Sequence, residues 1–208
     1  MSEGKKRGNP FIGTTISGGR NELLSVMHLL PKEVQAALQS GSLTLVDEAL
    51  YSVKRTNFAS TVELMQSSDT QLENITNLNN RKLEAGQYML LTGIRVLAAS
   101  ISGETAPAQV SAYAATAFFQ DLSSYNFLAN SELDIVVAGK TLFPRNSCQM
   151  FRRNNNENNS LGYYRLACPK LIVPQAEIIP TLRMNAAAAG QADYLVRLEL
   201  CGVKTVRG

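Results

Sequence analysis

The stretch Gln191-Ala192-Asp193-Tyr194-Leu195-Val196-Arg197-Leu198-Glu199-Leu200-Cys201-Gly202 constrains the fold more than any other. Tyr194, Val196, Leu198 and Leu200 recur at every second position, with Asp193, Arg197 and Glu199 between them. Side chains of an extended chain alternate between two faces. The pattern therefore predicts a half-buried β-strand with one apolar face and one solvated, charged face. A strand exposes N–H and C=O groups along both edges, so earlier segments must supply its partners.

Several segments read as those partners. Phe58, Ser60, Val62 and Leu64 alternate against Ala59, Thr61 and Glu63, which predicts a strand over 58–64. Residues 88–101 are apolar on both faces with Gly93 inside, as in a central strand covered on both sides. Residues 126–142 give a strand, a turn at Ala138-Gly139 and a returning strand. Residues 163–167 form a short strand, with Tyr163 and Tyr164 on opposite faces. Pro169, Pro174 and Pro180 restrict 171–173 and 178–182 to short or edge strands. Two segments stay open between strand and helix: 43–53, where Asp47-Glu48-Ala49-Leu50 also fits a helical spacing, and the Ala-rich 108–119. Residues 66–82, 104–108 and 154–159 read as polar connections and turns.

The N-terminal part has a different texture. Residues 1–20 are glycine-rich without sustained periodicity and read as a flexible arm. Residues 21–41 read as a helical hairpin. Asn21 caps a stripe of Leu23, Leu24, Met27 and Leu30; Pro31 suits the first position of a second helix with Val34, Ala37 and Leu38 inward; and Gly41 suits its end. Residues 42–208 then form a mainly β domain, a single jelly-roll-like antiparallel β-sandwich.

Composition narrows the function. A chain of 208 residues suits one domain of good size plus an arm. Apolar residues reach 45%, but charged residues only 18%, against about 25% in typical domains. Neutral surface of that kind suits contacts between subunits, where charge is depleted. A net charge of +3 argues against a whole-domain nucleic-acid binder. Residues 1–10 lack the apolar core of a signal peptide, so secretion is not expected, and no run is long enough for a membrane span. Cys148, Cys168 and Cys201 lack CxxC spacing and accompany one histidine, so reduced, packed thiols are expected and no metal.

No motif carries catalytic chemistry. Gly139-Lys140-Thr141 ends like a phosphate-binding loop, but Asp134 stands where its first glycine belongs, and Ile135-Val136-Val137 is strand. A hairpin turn is the reading. His28 is a packed or surface histidine on a helix. Glu132 and Asp134 share one strand face, as paired catalytic carboxylates do, yet they read as the solvated side of Leu133, Ile135 and Val137. Arg152-Arg153 is a surface pair. Lys5, Lys6 and Arg7, with Arg20, either contact phosphates or keep a tail soluble. No enzyme and no cofactor are expected.

The stretch Leu83-Glu84-Ala85-Gly86-Gln87-Tyr88-Met89-Leu90-Leu91-Thr92-Gly93-Ile94-Arg95-Val96 resembles an entry strand in capsid proteins of tailless icosahedral bacterial viruses. The strand pair beginning Asn130-Ser131-Glu132-Leu133-Asp134-Ile135-Val136-Val137-Ala138-Gly139-Lys140 is similar in style, as is the proline-punctuated close over 171–182 before the last strand. The resemblance covers 83–208 and rests on texture and order; the helical hairpin is not part of it. Many such viruses use a double jelly roll, which 208 residues cannot hold, so a single roll is implied. The resemblance implies a self-assembling virion shell subunit, a homo-oligomer made in the host cytoplasm that meets other virion proteins. Its arm, through Lys5, Lys6, Arg7 and Arg20, would reach packaged genome, internal membrane or a neighbouring subunit. A receptor- or carbohydrate-binding module of a virion is the alternative.

Overall fold

The computed structural model describes residue 27 and residues 30–101, 109–152, 161–185 and 193–207. The arm and the first helix of the expected hairpin, with His28, lie outside these residues. The protein is mainly β. The strands are β1 (Leu43–Arg55), β2 (Thr61–Glu63), β3 (Met89–Ser100), β4 (Glu132–Val137), β5 (Lys140–Ser147), β6 (Tyr163–Ile172), β7 (Ile178–Arg183) and β8 (Tyr194–Arg207). They form two antiparallel four-stranded sheets, ordered β1-β8-β3-β6 (sheet A) and β2-β7-β4-β5 (sheet B). Val196, Leu198 and Leu200 meet Leu133, Ile135, Ile178 and Leu182 of the other sheet in one core, so the sheets are the two layers of a sandwich.

The terminal strand is longer and more enclosed than its pattern implies. β8 pairs with β1 from Leu43↔Arg207 to Arg55↔Leu195, and on its other edge with β3 from Met89↔Lys204 to Ser100↔Tyr194. Its second face is only partly solvated. Leu195, Glu199 and Val203 are buried there, and the Asp193 side chain just before the strand is 5% exposed. Two helices cover the ends of this face. Helix α1 (Lys32–Gln39), with Met27 and Leu30, lies against Leu45, Leu90 and Val203; helix α2 (Val110–Thr116) lies against Val53, Ala99 and Leu195.

Local details correct the sequence reading in instructive ways. The strand over 58–64 shrinks to Thr61–Glu63 because Asn57 and Phe58 take left-handed φ of 48° and 57° in a turn. That turn is fastened by Asp193, which accepts from the Arg55 side chain, the Thr56 hydroxyl and the Asn57 N–H. The ambiguous 43–53 becomes strand because β8 pairs it throughout, a long-range choice that outweighs local spacing. The Ala-rich segment becomes α2. Pro31 precedes α1 as its cap, one position earlier than expected, and Gly41 ends it at φ +78°.

The prolines find separate solutions. Pro169 sits in a bulge of β6, an edge strand, where residues 166–169 face only Thr92 between the pairs Leu91↔Lys170 and Gly93↔Arg165. Pro180 lies inside sheet B, on a strand that is short but not at an edge. Its C=O accepts from the Leu64 N–H just past β2. A residue's N–H and C=O point to the same edge, so its missing donor falls beyond the end of β2. The pairing with β4 runs without a register shift from Glu132↔Arg183 to Val137↔Ile178.

Gly202 stands opposite the β3 irregularity, and a Cβ there would lie 2.0 Å from the Leu90 carbonyl oxygen. Backbone cannot swing away as a side chain can. Gly202→Ala should therefore cost about 1–3 kcal/mol, toward the upper end of that range, read as a lower midpoint in urea titration. An unchanged midpoint would mean that the two strands are not held this close.

Candidate functional site

Between the two helical caps, the outer face of sheet A carries one polar rung across all four strands. Tyr51 of β1 stands opposite Glu199 of β8, Glu199 opposite Arg95 of β3, and Arg95 opposite Tyr163 of β6. Arg197 lies two residues along β8 on the same face. The Glu199 carboxylate accepts from Arg95 Nη1 at 2.8 Å and from Arg197 Nε at 2.7 Å. The Arg197 guanidinium lies 4.5 Å from the Tyr51 ring centre and that of Arg95 5.8 Å from the Tyr163 ring centre. Gly93 makes room for Tyr163, whose hydroxyl would be 2.1 Å from a Cβ there.

Glu199 is 7% exposed, whereas both arginines keep part of their surface in water. One buried carboxylate thus holds two partly exposed cations side by side, each against an aromatic ring. Each of its two oxygens accepts from one guanidinium. The arrangement is a cationic, aromatic platform suited to contact. Cys201 lies next along this face, and burial pushes its thiol up to about 11, eased by Arg95 and reinforced by Glu199.

A second feature is a cleft of 740 Å³ between α1, the turn at 84–88 and the end of β8. Val34, Leu43 and Tyr88 contribute apolar surface, and Glu33, Glu84 and Arg207 contribute charge. The cleft size is that of a ligand or peptide site.

The residues singled out in the sequence fall apart in space. Lys5, Lys6, Arg7, Arg20, His28 and Arg153 lie outside the described residues. Ala138 and Gly139 take φ of 50° and 75°, a tight hairpin turn, and Lys140 opens β5 instead of a helix. Glu132 pairs with Arg145 and Asp134 with Arg183 on the outer face of sheet B. Tyr163 and Tyr164 do point to opposite faces, Tyr164 packing near Phe143 and Phe151. The three thiols are free, but Cys168 is exposed on the β6 bulge, not packed. Among the described residues no helix is long and apolar enough to cross a membrane. The rung itself escaped the sequence reading, although Arg95 is the one charge within 88–101 and calls for a carboxylate partner.

No family model, no curated protein and no solved structure matches the chain.

Glu199→Gln should destabilise by about 2 kcal/mol, because hydrogen bonds to charged groups are worth about 1.5–3 kcal/mol and both guanidiniums lose their counter-charge. Glu132→Gln, whose carboxylate is 44% exposed beside Arg145, should stay within about 0.5–1 kcal/mol. Paired thermal melts check the contrast, and equal losses would deny Glu199 its special place.

Burial also raises the Cys148 thiol to about 11. The unfolded thiols titrate near 8.5, so the folded state holds these protons more tightly. Their stabilisation is complete below about pH 8.5 and is lost as pH rises toward 11. Replacing both Cys148 and Cys201 by Val should flatten the alkaline fall in melting temperature relative to wild type. Parallel curves would refute the assignment.

Proposed function

We propose that the protein is a virion shell subunit, a single jelly roll that assembles with copies of itself into an icosahedral shell and performs no catalysis. The observation that carries this reading is the pairing order. β1 pairs with β8, β2 with β7, β3 with β6 and β4 with β5. That is one long eight-strand hairpin, and the added β3–β8 and β4–β7 contacts roll it into two sheets. Eight-stranded double-sheet jelly rolls build viral capsid domains.

Two further features support assembly. Charged residues make up only 18% of the chain. Phe58, Phe118 and Leu161 are exposed, Phe118 by 79%, and they share one end of the sandwich. There β1 ends opposite the start of β8, β3 ends opposite Tyr194, and Gly162 bonds Val96 just before β6. Exposed apolar side chains at one end of a fold suit the core of a subunit contact. In this reading Lys5, Lys6, Arg7 and Arg20 of the arm meet packaged genome, internal membrane or a neighbouring subunit.

Jelly rolls also serve lectin domains, so assembly must decide. Sedimentation across a concentration series, with negative-stain imaging of the same samples, should give large closed particles. A strict monomer at high micromolar concentration, or a small closed oligomer that never enlarges, would overturn the proposal.

A further inference from the structure

The cleft beside α1 has a chemistry of its own. Its wall is apolar through Val34, Leu43 and Tyr88, and two exposed carboxylates, Glu33 and Glu84, stand on its rim. Among the described residues neither carboxylate belongs to an ion pair, whereas Glu63, Glu132, Asp134 and Glu177 on sheet B are all paired. Glu84 accepts only a neutral hydrogen bond, from Gln87 Nε2 at 2.9 Å. Arg207 lines the cleft as well, which leaves it a formal charge of −1. An apolar groove with an acidic rim selects a ligand that carries cations next to a hydrophobic side chain.

The chain holds one such segment, Lys5-Lys6-Arg7-Gly8-Asn9-Pro10-Phe11-Ile12. Three cations precede an aromatic and a β-branched residue, and Gly-Asn-Pro between them disfavours a helix. At full extension Arg7 and Phe11 stand about 14 Å apart, a span that lets one reach the rim while the other enters the groove. The connection over residues 12–26 leads to Met27, and Met27 packs in the same apolar cluster as the cleft residues Val34 and Tyr88. Covalent attachment within one chain favours its own segment over a dilute second copy.

We infer that residues 5–12 of the arm dock in the cleft of their own subunit, with Lys5, Lys6 and Arg7 toward Glu33 and Glu84 and Phe11 against Val34 and Tyr88. The inference stands independently of shell assembly.

The test uses the full chain at low micromolar concentration, as an equal mixture of ordinary and nitrogen-15 protein treated with a zero-length carbodiimide. The expected products join Lys5 or Lys6 to Glu33 or Glu84 within chains of a single isotope. Separately, the double variant Glu33→Gln, Glu84→Gln, which touches only exposed side chains, should be cut by trypsin after Arg7 about fivefold faster than wild type, the scale of losing two exposed ion pairs. Links that run mainly to other carboxylates, links that mix isotopes, or equal cleavage rates would each overturn the inference. None of these outcomes depends on whether shells form.

Discussion

A strand paired on both edges and largely buried on both faces has little tolerance for unsatisfied groups, and β8 is such a strand. Each of its edges must meet a full ladder, because a buried backbone group without a partner costs about 1–3 kcal/mol. β1 and β3 supply those ladders along nearly its whole length. The price is sequence distance: residues 43–55 must find residues 195–207. Pairing of such long range is slow to form, since loop closure comes before any contact rewards it. Asp193 gives the join a local fastening, gathering Arg55, Thr56 and Asn57 at the mouth of the β1–β8 pair.

The outer face of β8 resolves a second problem. Apolar cover is available at both ends, from α1 and α2, but not in the middle. There the chain places Glu199 between Arg95 and Arg197, with Tyr51 and Tyr163 flanking the guanidiniums. A buried ion cluster is weak evidence for net stability, yet it penalises wrong pairings heavily. A slip of β8 by one residue would turn Arg197 and Glu199 into the core and Val196, Leu198 and Leu200 outward. The charged rung therefore works as a register key.

What the sequence revealed follows from the same physics. Period-two alternation exposed β8 and β4, and an apolar run marked β3, because those signals are local. Positive φ at Ala138 and Gly139 matched a turn that the residues announce. The partner of a strand is not local, so 43–53 stayed ambiguous and Glu199 passed for a surface residue. Pro180 meets the other half of the short-or-edge expectation, on a short strand inside the sheet. The rule against proline in sheet interiors concerns a missing donor, and here the donor points past the end of a three-residue strand. Of the candidate site, the sequence marks only Tyr163 and the β8 charges, and their meaning comes from the rung that joins them.

The two sheets end up with unlike outer surfaces. Sheet A is capped by α1 and α2, and its open middle is committed to the Glu199 cluster. The outer face of sheet B is laced by Arg183–Asp134, Arg145–Glu132 and Arg81 with Glu63 and Glu177. Ion-paired faces keep their water at little cost, and desolvating them against a neighbour would lose more than it gains. The apolar side chains at the loop end carry no such penalty. In the shell proposed above, such a subunit would meet its neighbours through its loop end, leaving the ion-paired face of sheet B to solvent.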